Sequence, residues 1–357
     1  MNDPRENPIQ RGFDRRGFLQ RAGWLSAGVA FSESVLNAQT ARPLELSNTG
    51  PDDIPRKPFG RTKESLSVIG LGGFSLGSAP TQDEAINIVH EAIDGGVTFF
   101  DNAWEYHDGK SEEWMGHGLK GRRDKVFLMT KVCTHGRDKK VGLRQLEESL
   151  KRLQTDHLDL WQIHECVYDN DPERHFAKGG VIEALDEAKK AGKVRYVGFT
   201  GHKNPAIHLK MLSYNYPFDS VQMPLNAFDA SYRSFQNQVL PEVNKRGIAA
   251  LGMKSLGGNG QPIIQGVATV AESLRYAMSL AVATTISGID SLAVLHQNLA
   301  IARGFKPMTA EAMKAFEKRC AAAADDGHLE LYKSTMKYDG DLGREQHGLP
   351  GHKELPL

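Results

Sequence analysis

Val97-Thr98-Phe99-Phe100-Asp101-Asn102-Ala103-Trp104-Glu105-Tyr106 is the stretch from which the fold can be read. Its apolar start, Val97 to Phe100, has the length and composition of a buried strand. An aspartate closes that run, and a tyrosine follows five residues later. Other short apolar runs recur along the chain: Val68–Gly72, Val126–Thr130, Leu158–Ile163, Val194–Phe199, Ser220–Met223, Ile248–Leu251 and Val282–Ile286. Between them lie helical patterns: Thr81–Asp94, Ser111–Lys120, Gly142–Leu153, Val181–Ala191, Pro205–Leu212, Tyr232–Lys245 and Val267–Leu280, with Ser291–Ile301 after the last. Thr81 with Glu84 is a capping pair, Ser111 reads as a cap, and Gly192 and Gly247 are helix stops. Repeated strand–helix units with apolar strands require a parallel sheet covered by helices. Eight units predict an α/β fold of the (β/α)8 TIM barrel type. The competing open doubly wound sheet would carry a GxGxxG turn after its first strand, and none is present.

Outside the repeat the chain changes character. Phe59-Gly60-Arg61-Thr62 separates two short apolar patches and predicts a small N-terminal hairpin. Thr309–Ala324 predicts an alanine-rich helix, and the polar stretch from Asp325 to Leu357 a tail over the barrel. Residues 39–57 read as a linker. Asp14-Arg15-Arg16-Gly17-Phe18-Leu19 precedes a modest apolar run, Ala22 to Phe31, which is too short for a comfortable membrane span. Paired arginines in that setting predict a twin-arginine export signal cleaved near Ala38. The predicted division is therefore a signal (1–38), linker (39–57), barrel (58–305), and C-terminal helix and tail (306–357). The predicted location is periplasmic, after export in folded form by the twin-arginine translocation machinery, or cytoplasmic if the signal is unused.

The composition narrows the function. The 357 residues carry 44 Lys+Arg and 44 Asp+Glu, so no net charge points to nucleic acid or an anionic membrane. Cys133, Cys166 and Cys320 are scattered and lack CxxC spacing, which predicts buried thiols rather than disulfides or a zinc site. No histidine pair sits at metal-ligating helical spacing, and no metal is expected.

In a barrel of this kind the C-terminal ends of the strands share one mouth. Just past those ends lie Asp101, Lys131, His164, Thr200, Gln222, Lys254 and Gly288. A buried Asp and Lys on adjacent strands are costly unless paired. A tyrosine beside that lysine is expected to have its phenolate favoured and its pKa pulled below about 10. Such a tyrosine can donate a proton, and a histidine across the mouth can hold a carbonyl oxygen.

These residues, with FFDNAWEY, the run from Ser111 to Lys131, LDLWQIH from Leu158 to His164 and GKVRYVGFTG from Gly192 to Gly201, resemble the aldo-keto reductase superfamily. The resemblance covers about Lys57 to Phe305. It implies NADP(H)- or NAD(H)-dependent reduction of a small-molecule carbonyl, or oxidation of the alcohol. Asp101, Tyr106, Lys131 and His164 would be catalytic, with Tyr106 as general acid. Thr200, Gly201 and Gln222 match the nicotinamide contacts, although the family has Ser-Asn where this chain has Thr200-Gly201. Lys254, Ser255, Leu256 and Gly257 match the segment over the pyrophosphate. Gly288, Gln297 and Asn298 match the adenosine end, where Gly288, Val294 and Asp290 supply no basic grip for a 2′-phosphate. Trp104 is expected to line the substrate pocket, shaped also by Tyr168, Arg174, His175, Phe176 and the tail. A dinucleotide-binding sensor or partner subunit, and a redox-neutral isomerase or dehydratase holding its NAD(P) tightly, are the alternatives.

Overall fold

The structure is a computed structural model that describes residues 46, 50, 52–133, 138–351 and 354. The predicted export signal and most of the predicted linker lie outside the described residues. The hairpin β1 (Arg56–Pro58) and β2 (Ser65–Ser67) is antiparallel. Eight parallel strands follow: β3 (Ile69–Gly72), β4 (Phe99–Asp101), β5 (Phe127–Cys133), β6 (Leu158–His164), β7 (Val194–Thr200), β8 (Ser220–Pro224), β9 (Ala249–Met253) and β10 (Thr284–Gly288). They close in the order β10-β3-β4-β5-β6-β7-β8-β9. This is the expected (β/α)8 barrel.

Alternation along the strands builds two cores. Leu71, Phe100, Leu128, Trp161, Val197 and Val221 face outward and pack with the helices. Phe99, Phe127, Met129, Leu160, Leu251 and Ile286 fill the interior, and Phe59 and Leu66 of the hairpin join them. The interior is therefore solid at the N-terminal end. The same inward rows continue toward the other end as Phe99-x-Asp101, Met129-x-Lys131 and Leu160-x-Gln162-x-His164. The polar residues thus occupy the next level above an apolar floor.

Helices α1 (Gly73–Leu76) and α2 (Gln82–Asp94) follow β3. Thr81 accepts the Glu84 amide at 3.2 Å, as its position implied. Next come α3 (Lys110–Leu119), α4 (Lys139–Arg152), α5 (Asp171–Phe176), α6 (Val181–Lys190) and α7 (Pro205–Ser213). Ser111 is not the α3 cap: Gly109 occupies that position in the left-handed region, and Ser111 donates its hydroxyl to the Gly73 carbonyl. The helix expected over 232–245 is split into α8 (Phe235–Gln238) and α9 (Leu240–Lys245), because Ser234 caps a fresh start and Pro241 begins another. Then come α10 (Gln261–Ile264), α11 (Val270–Ser279), α12 (Leu292–Ala302) and α13 (Ala310–Ala321). The polar tail is more ordered than its composition suggests. It forms α14 (Leu331–Ser334) and α15 (Asp341–Gln346), with Tyr332, Lys333 and Arg344 buried.

Candidate active site

Asp101 ends β4, and its partner across the sheet is Gly72. The absence of a side chain there is forced: a Cβ on Gly72 would meet the Ser287 carbonyl oxygen at 2.8 Å. Lys131, one strand over on β5, is 1% exposed. Its ammonium donates to the Asp101 carboxylate, to the Asn102 carbonyl at 2.7 Å and to the Tyr106 hydroxyl at 3.4 Å. Tyr106 sits on the loop after β4, and its ring meets the His164 ring edge-on at 5.7 Å between centroids. Phe74 of α1 packs edge-on against the other side of Tyr106 at 5.4 Å, and remains 59% exposed. The four expected residues are therefore brought together at one mouth.

Two carboxylates missed in the sequence complete this cluster. Glu105 accepts a hydrogen bond from His164 Nδ1. Glu165 is buried, hydrogen-bonded to His202 Nε2 at 2.6 Å and to the Gly340 amide of the tail at 2.7 Å. Burial pushes both carboxyls upward, but charge and hydrogen bonding from His164 on Glu105, and from His202 on Glu165, outweigh it and leave both below the ordinary range. Burial also lifts the Asp101 carboxyl, with Lys131 pulling against it.

The expected lowering of the Tyr106 pKa is not found. Burial, followed by the charges of Asp101, Glu105 and Glu165, raises it well above the ordinary phenol value. The reason is visible in the geometry: Lys131 is already committed to Asp101 and Asn102, while three carboxylates surround the phenol. Tyr106 keeps its proton firmly.

The remaining expected residues separate into groups. Thr200 and Gln222 are paired across β7 and β8, and both point inward by alternation. Thr200 Oγ1 and Gln222 Oε1 are buried without hydrogen-bond partners. Buried polar atoms of this kind normally find a partner, so the pair suits a ligand amide. Gly201 leaves no room for the side-chain amide found in the family: a Cβ there would lie 2.2 Å from the Cys166 carbonyl oxygen. Lys254 has a positive φ of 56°. Its ammonium stands 5.2 Å and 5.4 Å from the ring centres of Tyr332 and Tyr338, and burial lowers its pKa. Ser255 is buried, Leu256 half-buried, and Gly257 and Gly258 have φ values of 76° and 81°. This loop is pressed under the tail, since a Cβ on Gly257 would lie 3.1 Å from the Leu329 carbonyl oxygen. Gly288 ends β10 beside Ser75, Gln297 is exposed on α12, and Asn298 is buried and donates to Ser287 Oγ at 2.9 Å.

Trp104 is turned toward α4. Its indole N–H donates to Glu148 at 2.7 Å, and Arg152 lies 5.5 Å from its ring centre. Its indole N–H is thus held by a carboxylate of α4, which anchors the loop. Phe176 likewise stacks on Tyr214 at 4.0 Å, while Tyr168 stacks on His347 of the tail at 3.9 Å. All three cysteines are free and buried.

The sequence profile of the Aldo/keto reductase family matches residues 68–261. The chain belongs to that family. As an aldo/keto reductase it is an oxidoreductase of the NAD(P)(H)-dependent, carbonyl-reducing kind. It is 26% identical over 305 residues to "Uncharacterized oxidoreductase YqkF" of Bacillus subtilis, covering 73% of this chain and 95% of that protein. It is 30% identical over 199 residues to "Aldo-keto reductase YhdN" of the same organism, covering 52% of this chain and 57% of that one. The fold matches the holo form of aldo-keto reductase AKR11C1 from Bacillus halodurans with a TM-score of 0.63 at 22% identity, over 78% of this chain and all of that one. It also matches an aldo-keto reductase from Klebsiella pneumoniae in complex with NADPH, with a TM-score of 0.61 at 22% identity, over 72% of this chain and 93% of that one. Among the described residues of this aldo/keto reductase, no helix is long and apolar enough to cross a membrane.

Proposed function

We propose that the chain reduces the carbonyl of an aldehyde, ketone or sugar, and oxidises the corresponding alcohol, at the Asp101–Tyr106–Lys131–His164 cluster. The observation that carries this reading is Lys131, which joins Asp101 to the Tyr106 hydroxyl within reach of His164. The substrate oxygen is held between the Tyr106 hydroxyl and the His164 ring. Tyr106 gives the proton. As the phenol loses it, Lys131 at 3.4 Å is the donor that takes up the developing charge. Asp101 holds Lys131 in place and keeps its buried charge compensated. The exposed Phe74 ring beside Tyr106 is an apolar wall for the substrate.

The unpartnered Thr200 Oγ1 and Gln222 Oε1 fit the carboxamide of a nicotinamide. Backbone amides of the Lys254–Gly258 loop, with the Lys254 ammonium, fit its pyrophosphate. Bound there, the reduced nicotinamide supplies the hydride. Ser291 caps α12, and Leu292, Ala293 and Val294 follow, so the first turn offers no basic side chain to a 2′-phosphate. The cofactor is NADPH or NADH, with no tight selectivity for NADPH. Arg15-Arg16 and the apolar run after them direct export of the folded protein to the periplasm by the twin-arginine machinery.

Two experiments test this reading. Purified protein is screened against aldehydes, ketones and sugars while dinucleotide absorbance is followed, with NADH and NADPH in parallel. Turnover with at least one carbonyl class is expected, and none with either cofactor would contradict the reading. Fractionation of cells should find the protein in the periplasm, and in the cytoplasm when Arg15 and Arg16 are both changed to Lys.

A further inference from the structure

The residue before Tyr106 carries the least ordinary contact in the mouth. Glu105 is a carboxylate beside the proton donor, and it takes the Nδ1 side of His164. Its second oxygen, Oε2, is buried without a partner, and its carboxyl is held below the ordinary range. A carboxylate accepts hydrogen bonds and cannot give one. The proton between the two groups therefore belongs to His164 Nδ1.

That assignment restricts the other nitrogen. A neutral imidazole carries one proton, and if Nδ1 holds it then Nε2 is a bare acceptor. Nε2 can donate to a carbonyl oxygen only when the ring is the imidazolium. We propose that Glu105 is a positioning residue that fixes the Nδ1 tautomer of His164, so that His164 donates to the substrate carbonyl only in its protonated state. The inference rests on the reading of the mouth as a carbonyl-reducing site, and it adds a proton requirement that Tyr106 alone would not impose.

The other groups around the His164 ring leave this role to Glu105. Tyr106, from the same loop, presents its ring edge-on. Asp101 on β4 acts at a distance and is held by Lys131 of β5. Cys133, paired with His164 across β5 and β6, is a buried thiol kept protonated by burial. Glu165, the residue after β6, is engaged by His202 from the loop after β7 and by the Gly340 amide. Lys254, from the loop after β9, feels Glu165, Lys131 and Asp101. Of these, Glu105 is the group hydrogen-bonded to the imidazole.

The test reads the tautomer directly, without cofactor. Full-length protein labelled with nitrogen-15 histidine is titrated by NMR, with His164 assigned by its absence in His164→Ala. Wild type should show a neutral ring protonated at Nδ1 and bare at Nε2. Glu105→Leu should shift the neutral ring to the Nε2–H form. A wild-type neutral ring carrying its proton on Nε2 overturns the proposal, as does an unchanged tautomer in Glu105→Leu.

The pH profile is the second readout. In wild type, kcat/KM for carbonyl reduction should fall about tenfold per pH unit once the ring deprotonates. In Glu105→Leu that fall should flatten, while in Glu105→Gln, whose amide oxygen can still accept from Nδ1, it should persist. A fall that is identical in wild type and Glu105→Leu overturns the proposal. Failure of the underlying reading would look different: the tautomer result would stand while no carbonyl was turned over.

Discussion

Lys131 in the barrel mouth and Lys333 in the tail are each 1% exposed, and each holds an aspartate. An ammonium has three protons to give. Lys333 gives its three to Asp229 at 2.6 Å, Glu330 at 2.9 Å and the Tyr232 carbonyl at 2.8 Å. Asp229 is further fixed by the amides of Phe235 and Gln236. Every group in that triad serves to pin α14 against the loop after β8. Lys131 gives two protons in the same manner, to Asp101 and Asn102, but its third contact is long and ends on a phenol. A buried ion pair therefore does not by itself indicate chemistry. A remaining contact to a group that can change its protonation does.

The sharpest way to break this comparison is to remove each ammonium in turn. Lys131→Met should lower kcat/KM by about 10²- to 10⁴-fold, the usual range for a group serving proton transfer. Both variants strand a buried carboxylate and should destabilise the fold by about 3–5 kcal/mol, but Lys333→Met should leave the turnover of the folded protein near wild type. Denaturant melts and steady-state rates on both variants check this. Loss of turnover in Lys333→Met without loss of stability would erase the distinction.

A third buried basic group sharpens the comparison, because among the described residues it pairs with no carboxylate. His208 packs between Phe199 and Phe235, and its Nε2 meets the Gln222 carbonyl at 3.3 Å. Burial lowers its pKa to about 4 from 6.5. The unfolded chain therefore binds a proton below 6.5 that the folded chain refuses until about 4. Stability from this group is complete above 6.5 and is lost as the pH falls toward 4, by roughly 3 kcal/mol. Melts of wild type and His208→Phe at pH 7 and pH 4.5 should differ in slope by part of that amount. A smaller effect is expected where no charge is buried. Gln222→Leu should weaken dinucleotide affinity by about 1–2 kcal/mol, five- to thirtyfold in Kd, because one hydrogen bond is lost. Equilibrium titration of cofactor fluorescence measures it.

The barrel was legible because its signal is repeated eight times, and alternation then dictated which residues faced inward. Asp101 and Lys131 were found because they are the next inward residues after apolar ones, and His164 because it ends the inward row of β6. Glu105 was missed because it lies on a loop, where no period indicates direction. The Tyr106 shift was misread for a related reason. Asp101 and Glu105 stand beside Tyr106 in the sequence, but its burial and the charge of Glu165 reach it only through the fold. The partner of the Trp104 indole was not legible either, because Glu148 of α4 lies 44 residues away. The helices of the tail were not legible because its stabilising contacts, Lys333 to Asp229 and Glu165 to Gly340, join residues more than a hundred positions apart.

The most direct test of the account is Tyr106→Phe. The substitution removes one oxygen and keeps the ring that packs against Phe74 and His164. The account predicts that dinucleotide-linked carbonyl reduction falls by about 10²- to 10⁴-fold while cofactor Kd and melting temperature stay near wild type. Turnover that survives unchanged in a folded, cofactor-binding Tyr106→Phe protein would contradict it.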